Sequence, residues 1–395
     1  MIEPQTRAAT QPGWVVPRFD RTALKIERIE TVALRAPLRR KYSGSAYSMV
    51  NRCTIITRLS TADGLVSEVY TGDTDAEQDL IVDIIHNELA PAVIGLSATD
   101  PEGCWLAMQP ATYDILRGRN LPLQAMACVD EAIWDVFGKA VGLPLFRLWG
   151  ACRDRLPISV IGGYYGKEHA ELAEELRRYV EMGFAGCKFK VGGKTPREDA
   201  ERVRVAREAA GDEFVLMVDA NQGYSREDAV EFARRVADYR IRWFEEPVRW
   251  YNDRRWMRDV RLQTGIAVTA GQSETTLPGV RDLIADGAID ACNFDASWAG
   301  GPTIWRKVAG LAAAFGVEMA HHEEPQVAAH LLASVPHGTF VECFDADRDP
   351  VFWGLFANRP QIAGGYYTLP SGPGFGLELD QDFIDHYTVS RRSSP

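Results

Sequence analysis

Apolar and polar residues alternate over residues 24–34 and 53–59, and a third alternating run at 66–70 follows the turn Thr61-Ala62-Asp63-Gly64. Strand side chains point to opposite faces in turn, so these runs predict three strands, each with one buried face, joined into a small antiparallel sheet with Asp-Gly chemistry in the turn. Between the first two runs, residues 39–50 are polar and rich in Arg, Lys, Tyr and Ser, which predicts a long flexible loop of functional use. The period then becomes helical over residues 76–89, 102–116 and 123–141. In the last of these, Ala125, Val129, Ala132, Ile133, Val136 and Ala140 form one apolar stripe, and Gly142, Leu143 and Pro144 bring it to a stop. Residues 24–150 therefore predict an α+β domain. Ahead of it, residues 1–23 carry Pro4, Pro12 and Pro17 and no continuous apolar stretch, which predicts an extended arm rather than a signal peptide or membrane span.

Beyond Pro157 the texture changes and repeats. Short apolar runs at residues 159–161, 184–190, 214–219, 242–245, 267–270, 291–295, 317–321 and 339–344 are interleaved with amphipathic segments such as 170–182, 197–210, 226–239, 303–315 and 327–335. Eight strands alternating with helices predict a (β/α) barrel over residues 151–365. The tail, 366–395, is expected to return to the first domain. A chain of 395 residues exceeds the size of a single core, so an added domain beside a barrel is consistent with its length.

Charge and cysteine usage narrow the class. A formal charge of −11 argues against a nucleic-acid or anionic-membrane partner, neither of which attracts an acidic surface, and confines any basic site to a local pocket. The seven cysteines are odd in number, dispersed and free of a Cys-x-x-Cys pair, which points to reduced thiols in a cytoplasmic protein and away from a disulfide framework or zinc ribbon.

Active sites of such barrels lie at the C-terminal ends of the strands. The polar residues there read Lys188/Lys190, Asp219, Glu245, Gln272/Glu274, Asp295, His321/His322 and Glu342. Lys188 and Lys190 share one face of a strand, and an apolar core would not accept two ammonium groups. Asp219, Glu245 and Glu274 lie about one βα unit apart and would bring carboxyl oxygens around one point. Oxygen ligation without His or Cys suits a hard cation such as Mg²⁺. Lys190 on one side and His322 on the other are the candidate bases, with Asp295 placed to orient the imidazole. A metal between two bases suits removal of a proton next to a carboxylate.

The Lys-x-Lys of Lys188 and Lys190, the Asp-Ala-Asn of residues 219–221, the Glu-Glu-Pro of residues 245–247 and the pair Asp295/His322 together resemble the mandelate racemase group of the enolase superfamily. The resemblance runs over nearly the whole chain. It implies a TIM-like (β/α)7β barrel with an N-terminal α+β capping domain, Mg²⁺ as cofactor, and a homo-oligomer of two to eight subunits. It implies Asp219 and Glu245 as metal ligands, Lys190 as a base, Lys188 and Glu342 at the substrate carboxylate, Asn221 near the substrate, and His322 as second acid/base oriented by Asp295. One departure stands at the third ligand. The family usually has Gly-Glu at the fifth strand end; here Gln272 occupies that register and Glu274, two residues on, is preferred for its charge, provided the strand continues.

Either dehydration of an acid sugar or racemisation of a 2-hydroxy acid fits these residues, and the resemblance favours dehydration. Arg39, Arg40, Lys41, Tyr42, Ser43 and Tyr47 of the predicted loop suit a polyhydroxy acid, and Tyr164, Tyr165 and Trp298 could line its pocket. Three rival readings are a zinc hydrolase built on His321, His322 and His330, a Schiff-base aldolase using Lys190, and a degenerate barrel with Gln272 in place of a ligand. Replacing Lys190 with Ala, or His322 with Asn, is expected to abolish turnover and leave the circular dichroism spectrum unchanged. Full activity in either variant would remove the two-base mechanism.

Overall fold

The computed structural model describes residues 24–72 and 77–395; the predicted arm at 1–23 lies outside them. Strands β1 (Ile26–Ser43), β2 (Ser48–Thr61) and β3 (Val66–Thr71) form an antiparallel sheet, to which β14 (Thr388–Ser394) at the end of the chain adds beside β1. Helix Asn120–Val141 packs its length against this sheet, with Val129, Ile133 and Val136 fully buried. Each such side chain stabilises the domain by about 1.5–3 kcal/mol.

The predicted loop at 39–50 is mostly strand. Tyr42 pairs with Met49 and Ser43 with Ser48, past an irregularity after Pro37, so β1 and β2 make one long hairpin and only residues 44–47 form its tip. Polar composition misled here because one side of this hairpin is solvated, while Tyr42 on the other is buried with Ile161, Tyr164 and Phe344.

Strands β4 (Arg155–Gly162), β5 (Gly186–Lys190), β6 (Val215–Asp219), β7 (Ile241–Glu245), β8 (Val268–Ala270), β9 (Ala291–Cys292), β10 (Glu318–Met319) and β11 (Val341–Cys343) run parallel in sequential order, with β11 beside β4. The barrel closes where Met319 exchanges backbone hydrogen bonds with His337 and Thr339, the residues leading into β11. A short hairpin, β12 (Ile362–Ala363) and β13 (Tyr366–Thr368), adds antiparallel to β4. Side chains cap several barrel helices: Thr195 Oγ1 accepts from the Glu198 amide and Ser225 Oγ from that of Asp228, removing donors the helices cannot satisfy themselves. Among the described residues, no helix is long and apolar enough to cross a membrane.

Buried polar contacts join the two domains. Arg52 on β2 ion-pairs with Glu324 and Asp349 of the barrel, both at 3.1 Å and all three nearly solvent-free. Asp130, on the capping helix, accepts from the Thr303 amide (2.9 Å) and hydroxyl (2.7 Å). Truncating one partner of the Arg52 ion pairs would leave a buried charge uncompensated, which costs about 3–5 kcal/mol.

His330 is a structural member of this core. One ring nitrogen accepts from the Phe146 amide, the other donates to the Phe375 carbonyl, and burial pushes its pKa down to about 3. Histidine in the unfolded chain titrates near 6.5, so below that pH the unfolded state takes up a proton the fold refuses, and stability falls as pH drops from 6.5 toward 3. The melting temperature is expected to fall between pH 6.5 and 4, more steeply in the wild type than in His330→Gln. Equal slopes would remove His330 as the cause.

Candidate active site

Alternation along β5 buries both lysines on the inner side of the barrel, as two charges that only carboxylates make tolerable. Lys188 Nζ donates to Glu245 Oε1 (2.7 Å) and Glu342 Oε2 (2.9 Å). Lys190 Nζ donates to Asp219 Oδ2 (2.7 Å) and Asn221 Oδ1 (3.1 Å) and stands over the Tyr47 ring, 5.5 Å from its centroid. Strand register makes these pairs: Lys190 is level with Asp219 on β6, and Asp219 with Glu245 on β7. Burial works against the charge on Lys188, but Glu245, Glu342 and Asp219 outweigh it and hold the ammonium above its ordinary range. Burial works against Asp219 too, and Lys190 and Lys188 prevail to keep its pKa low.

His322, after β10, is held between two carboxylates. Its Nδ1 is 2.8 Å from Asp295 Oδ2, and its Nε2 is 3.3 Å from Glu323 Oε1. The other oxygen of Asp295 accepts from the Ser297 amide and hydroxyl, which fixes the carboxylate and through it the ring. Trp298 covers the imidazole, with ring centroids 4.8 Å apart. Burial disfavours the imidazolium, yet Glu323 and Asp295 together raise its pKa well above the ordinary value.

The third metal position differs from the preferred assignment. β8 ends at Ala270, Gly271 takes φ +142°, and the Glu274 amide closes a turn on the Gly271 carbonyl, so strand alternation does not reach Glu274. Its carboxylate instead packs against Gly279, with Asp253, Arg254 and Asp282 as its charged neighbours, in an outer cleft lined by Trp250 and Tyr251. Gln272 is buried. Its Nε2 donates to Glu246 Oε2 (3.3 Å) and its Oε1 accepts from Asn293 Nδ2 (3.0 Å). Among the described residues, no three His, Cys, Asp or Glu side chains converge as a metal cage. The candidate donor set is therefore two carboxylates, Asp219 and Glu245, with the Gln272 amide as the candidate third member. It fits a hard cation on one further observation: Glu245 Oε2, wholly buried, has no hydrogen-bond partner.

Other expected residues divide. Tyr164 is buried, and its hydroxyl, with no hydrogen-bond partner, has Tyr47, Arg348, Lys190 and Glu323 as its charged or titratable neighbours. Tyr42 stands behind it, edge-on at 5.1 Å, as wall and not as a loop residue. Arg39 points away; its side chain is 85% exposed and pairs with Asp347 at 3.2 Å. Tyr165 is spent on Asp199 and the Gly193 amide. His321 accepts from the Ala296 amide at one nitrogen and reaches the His322 carbonyl with the other; with His330 also committed to backbone, the zinc arrangement is absent. Glu246 and Glu323 were missed. Both take left-handed backbone angles, φ +37° and +51°, which turn their side chains in a direction no periodicity announces.

Over residues 28–150 the chain matches the family model for the mandelate racemase / muconate lactonizing enzyme N-terminal domain, and over 171–383 the one described as enolase C-terminal domain-like. It is 30% identical over 368 residues to the 3,6-anhydro-alpha-L-galactonate cycloisomerase of Streptomyces coelicolor, covering 92% of this chain and 99% of that one. A mandelate racemase/muconate lactonizing enzyme from a marine actinobacterium, solved in complex with magnesium, superposes with TM-score 0.89 at 51% identity, covering 93% of this chain and 100% of that one. An L-talarate/galactarate dehydratase mutant liganded with Mg and L-glucarate superposes with TM-score 0.87 at 25% identity, covering 100% of this chain and 98% of that one.

The clasp on His322 has a spectroscopic consequence. Nitrogen-15 NMR at pH 7 is expected to show His322 doubly protonated, and Asp295→Asn to shift its titration downward. A neutral ring in the wild type at pH 7 would contradict the clasp.

Proposed function

Since the chain belongs to the mandelate racemase / muconate lactonizing enzyme family of the enolase superfamily and is an enzyme with Mg²⁺ as cofactor, we propose that it dehydrates an acid sugar to a 2-keto-3-deoxy acid. The carrying observation is the state of His322. An imidazole held between Asp295 and Glu323 starts the reaction with its proton on, as a general acid for a departing hydroxyl must.

In this reading Asp219, Glu245 and the Gln272 amide oxygen hold the cation. Gln272 Oε1 keeps a second lone pair beyond the one used by Asn293. A cation held by these residues would supply Lewis-acid charge that lowers the pKa of the substrate α C–H and of the Lys190 ammonium. Lys188 positions the substrate carboxylate by charge, and Glu342, accepting from its ammonium at 2.9 Å, holds Lys188 in place. Lys190, as the neutral amine once its ammonium proton has been lost to solvent, takes the proton at Cα. Across the mouth, His322 gives its proton to the β-hydroxyl, which leaves as water with the C–O electron pair while the Cα–H pair becomes the new double bond. The enol then tautomerises to the keto acid. Asn221 holds Lys190, and Tyr47 and Trp298 shield the two bases from solvent.

Racemisation uses the same framework but needs a neutral His322 for one substrate hand, and two carboxylates on the ring oppose that state. A degenerate barrel would not be expected to retain both lysines and their carboxylate partners.

Two measurements test the reading. C4–C6 aldonates and aldarates incubated with enzyme and Mg²⁺ in D₂O are expected to give 2-keto-3-deoxy acid from at least one stereochemical set; inversion or deuterium exchange without keto acid would make the protein a racemase or epimerase. Gln272→Glu adds the missing negative charge and is expected to tighten Mg²⁺ binding by roughly tenfold, about 1.4 kcal/mol, as read by calorimetry. An unchanged affinity would remove Gln272 from the coordination sphere.

A further inference from the structure

Glu246 has no place in the proton transfers above, yet the two neighbouring strand ends converge on it. It follows Glu245 at the end of β7, where its amide still donates to the Thr269 carbonyl (2.9 Å), but its φ of +37° departs from strand geometry. That angle costs free energy at a non-glycine residue and is accompanied here by contacts from both sides. Glu246 Oε1 accepts from Gln222 Nε2 (3.3 Å), beyond β6, and from the Ser273 hydroxyl, beyond β8. Its Oε2 accepts from Gln272 Nε2 (3.3 Å). All three donors are neutral, and the residue is buried. Its charged neighbours are Asp219, an anion, and His322, whose ring is already held by Asp295 and Glu323.

The Gln272 side chain is fixed at both ends of its amide. Its backbone N–H donates to Asn293 Oδ1 (3.2 Å), Asn293 Nδ2 donates to its Oε1 (3.0 Å), and its own Nε2 donates to Glu246. A half-turn of the amide would set Nε2 against the Asn293 amino group and Oε1 against a carboxylate, so the oxygen and the nitrogen have defined places. The bond from Nε2 to a carboxylate is charge-assisted and polarises the amide. As electron density shifts from nitrogen toward the carbonyl, the oxygen becomes a stronger donor to a cation. A glutamine ligand lacks the charge a carboxylate would bring, and here an anion stands directly behind it.

We propose that Glu246 and Gln272 act as one unit at the third metal position, the amide oxygen as the ligand and Glu246 as the positioning residue that orients and polarises it. The inference rests on the reading of Gln272 Oε1 as a ligand. It does not depend on which reaction the site performs.

The test uses the full chain, stripped of metal with EDTA, dialysed and titrated with Mg²⁺ by calorimetry, as wild type, Glu246→Gln, Gln272→Met and the double variant. Glu246→Gln is expected to weaken Mg²⁺ binding by roughly tenfold, the scale on which residues that support a metal ligand act. Gln272→Met removes the amide at constant side-chain length and is expected to weaken binding at least as much. Adding Glu246→Gln to Gln272→Met is expected to change affinity by less than about twofold, because no amide remains to be oriented. Melting in EDTA checks each fold. Where Glu246→Gln melts early, Glu246→Asp, which keeps the charge but withdraws it from Nε2, is read in its place with the same expectation. Unchanged affinity in the Glu246 variant overturns the proposal. So does an equal loss on both backgrounds, which would make Glu246 act by its charge or through the fold, independently of Gln272. Unchanged affinity in Gln272→Met removes Gln272 from the coordination sphere and the inference with it, whereas a loss in Gln272→Met with none in the Glu246 variant keeps the ligand and overturns the role of Glu246.

Discussion

Two ammonium groups on one face of a buried strand impose the constraint from which the barrel mouth follows. Lys188 and Lys190 are almost without solvent, and charges so placed persist only with partners in hydrogen-bond contact. Asp219 and Glu245 come from the next two strands and Glu342 from the last, so compensation requires β6, β7 and β11 all to be in register with the closed barrel. A one-residue slip of β6 would turn Asp219 away and leave Lys190 without its closest anion. Catalytic geometry and barrel register are thus held by the same ion pairs.

The capping domain completes the site from above. Ser45, in the hairpin tip, donates to the Ala220 carbonyl at 2.7 Å, and Tyr47 brings its ring under the Lys190 ammonium. The tip can be short because the strands leading to it are paired through Ser43 and Ser48, which makes it a rigid projection anchored on a sheet. Arg52, on the same hairpin, holds Glu324 and Asp349, the neighbours of Glu323 and Arg348. Contacts between domains and the shape of the substrate cleft are therefore coupled, and a change at Arg52 would reach the mouth through the backbone of the His-His-Glu-Glu segment.

The two sides of the mouth differ chemically. On the Lys190 side the base is tied to Asp219, a carboxylate the cation would share. On the other, His322 is tied to Asp295 and Glu323, neither of which has a place in the proposed metal set. In the proposed elimination the two sides would serve as proton acceptor and proton donor.

Much of this was legible in the chain. Period-two runs and period-3.6 runs identify strands and helices because each element must bury one face, and the strand ends of a parallel barrel must carry its polar residues because the interior is apolar; so Lys188, Lys190, Asp219, Glu245, Asp295, His322 and Glu342 could be named in advance. The hairpin at 39–50 was not legible, since a strand with one solvated side has the composition of a loop. Nor was the orientation of Glu274, because whether a strand continues past Gly271 depends on a backbone turn that no side-chain pattern encodes. Glu246 and Glu323 escaped for the same reason: their left-handed angles are accompanied by contacts from distant parts of the chain, Gln272 and Ser273 for one and Glu342 for the other. The sequence by itself determined the architecture, the charged groups and the chemistry they permit, through periodicity and residue type. Only the tertiary structure decided which carboxylates meet which cations, since that depends on strand register and on where each strand stops.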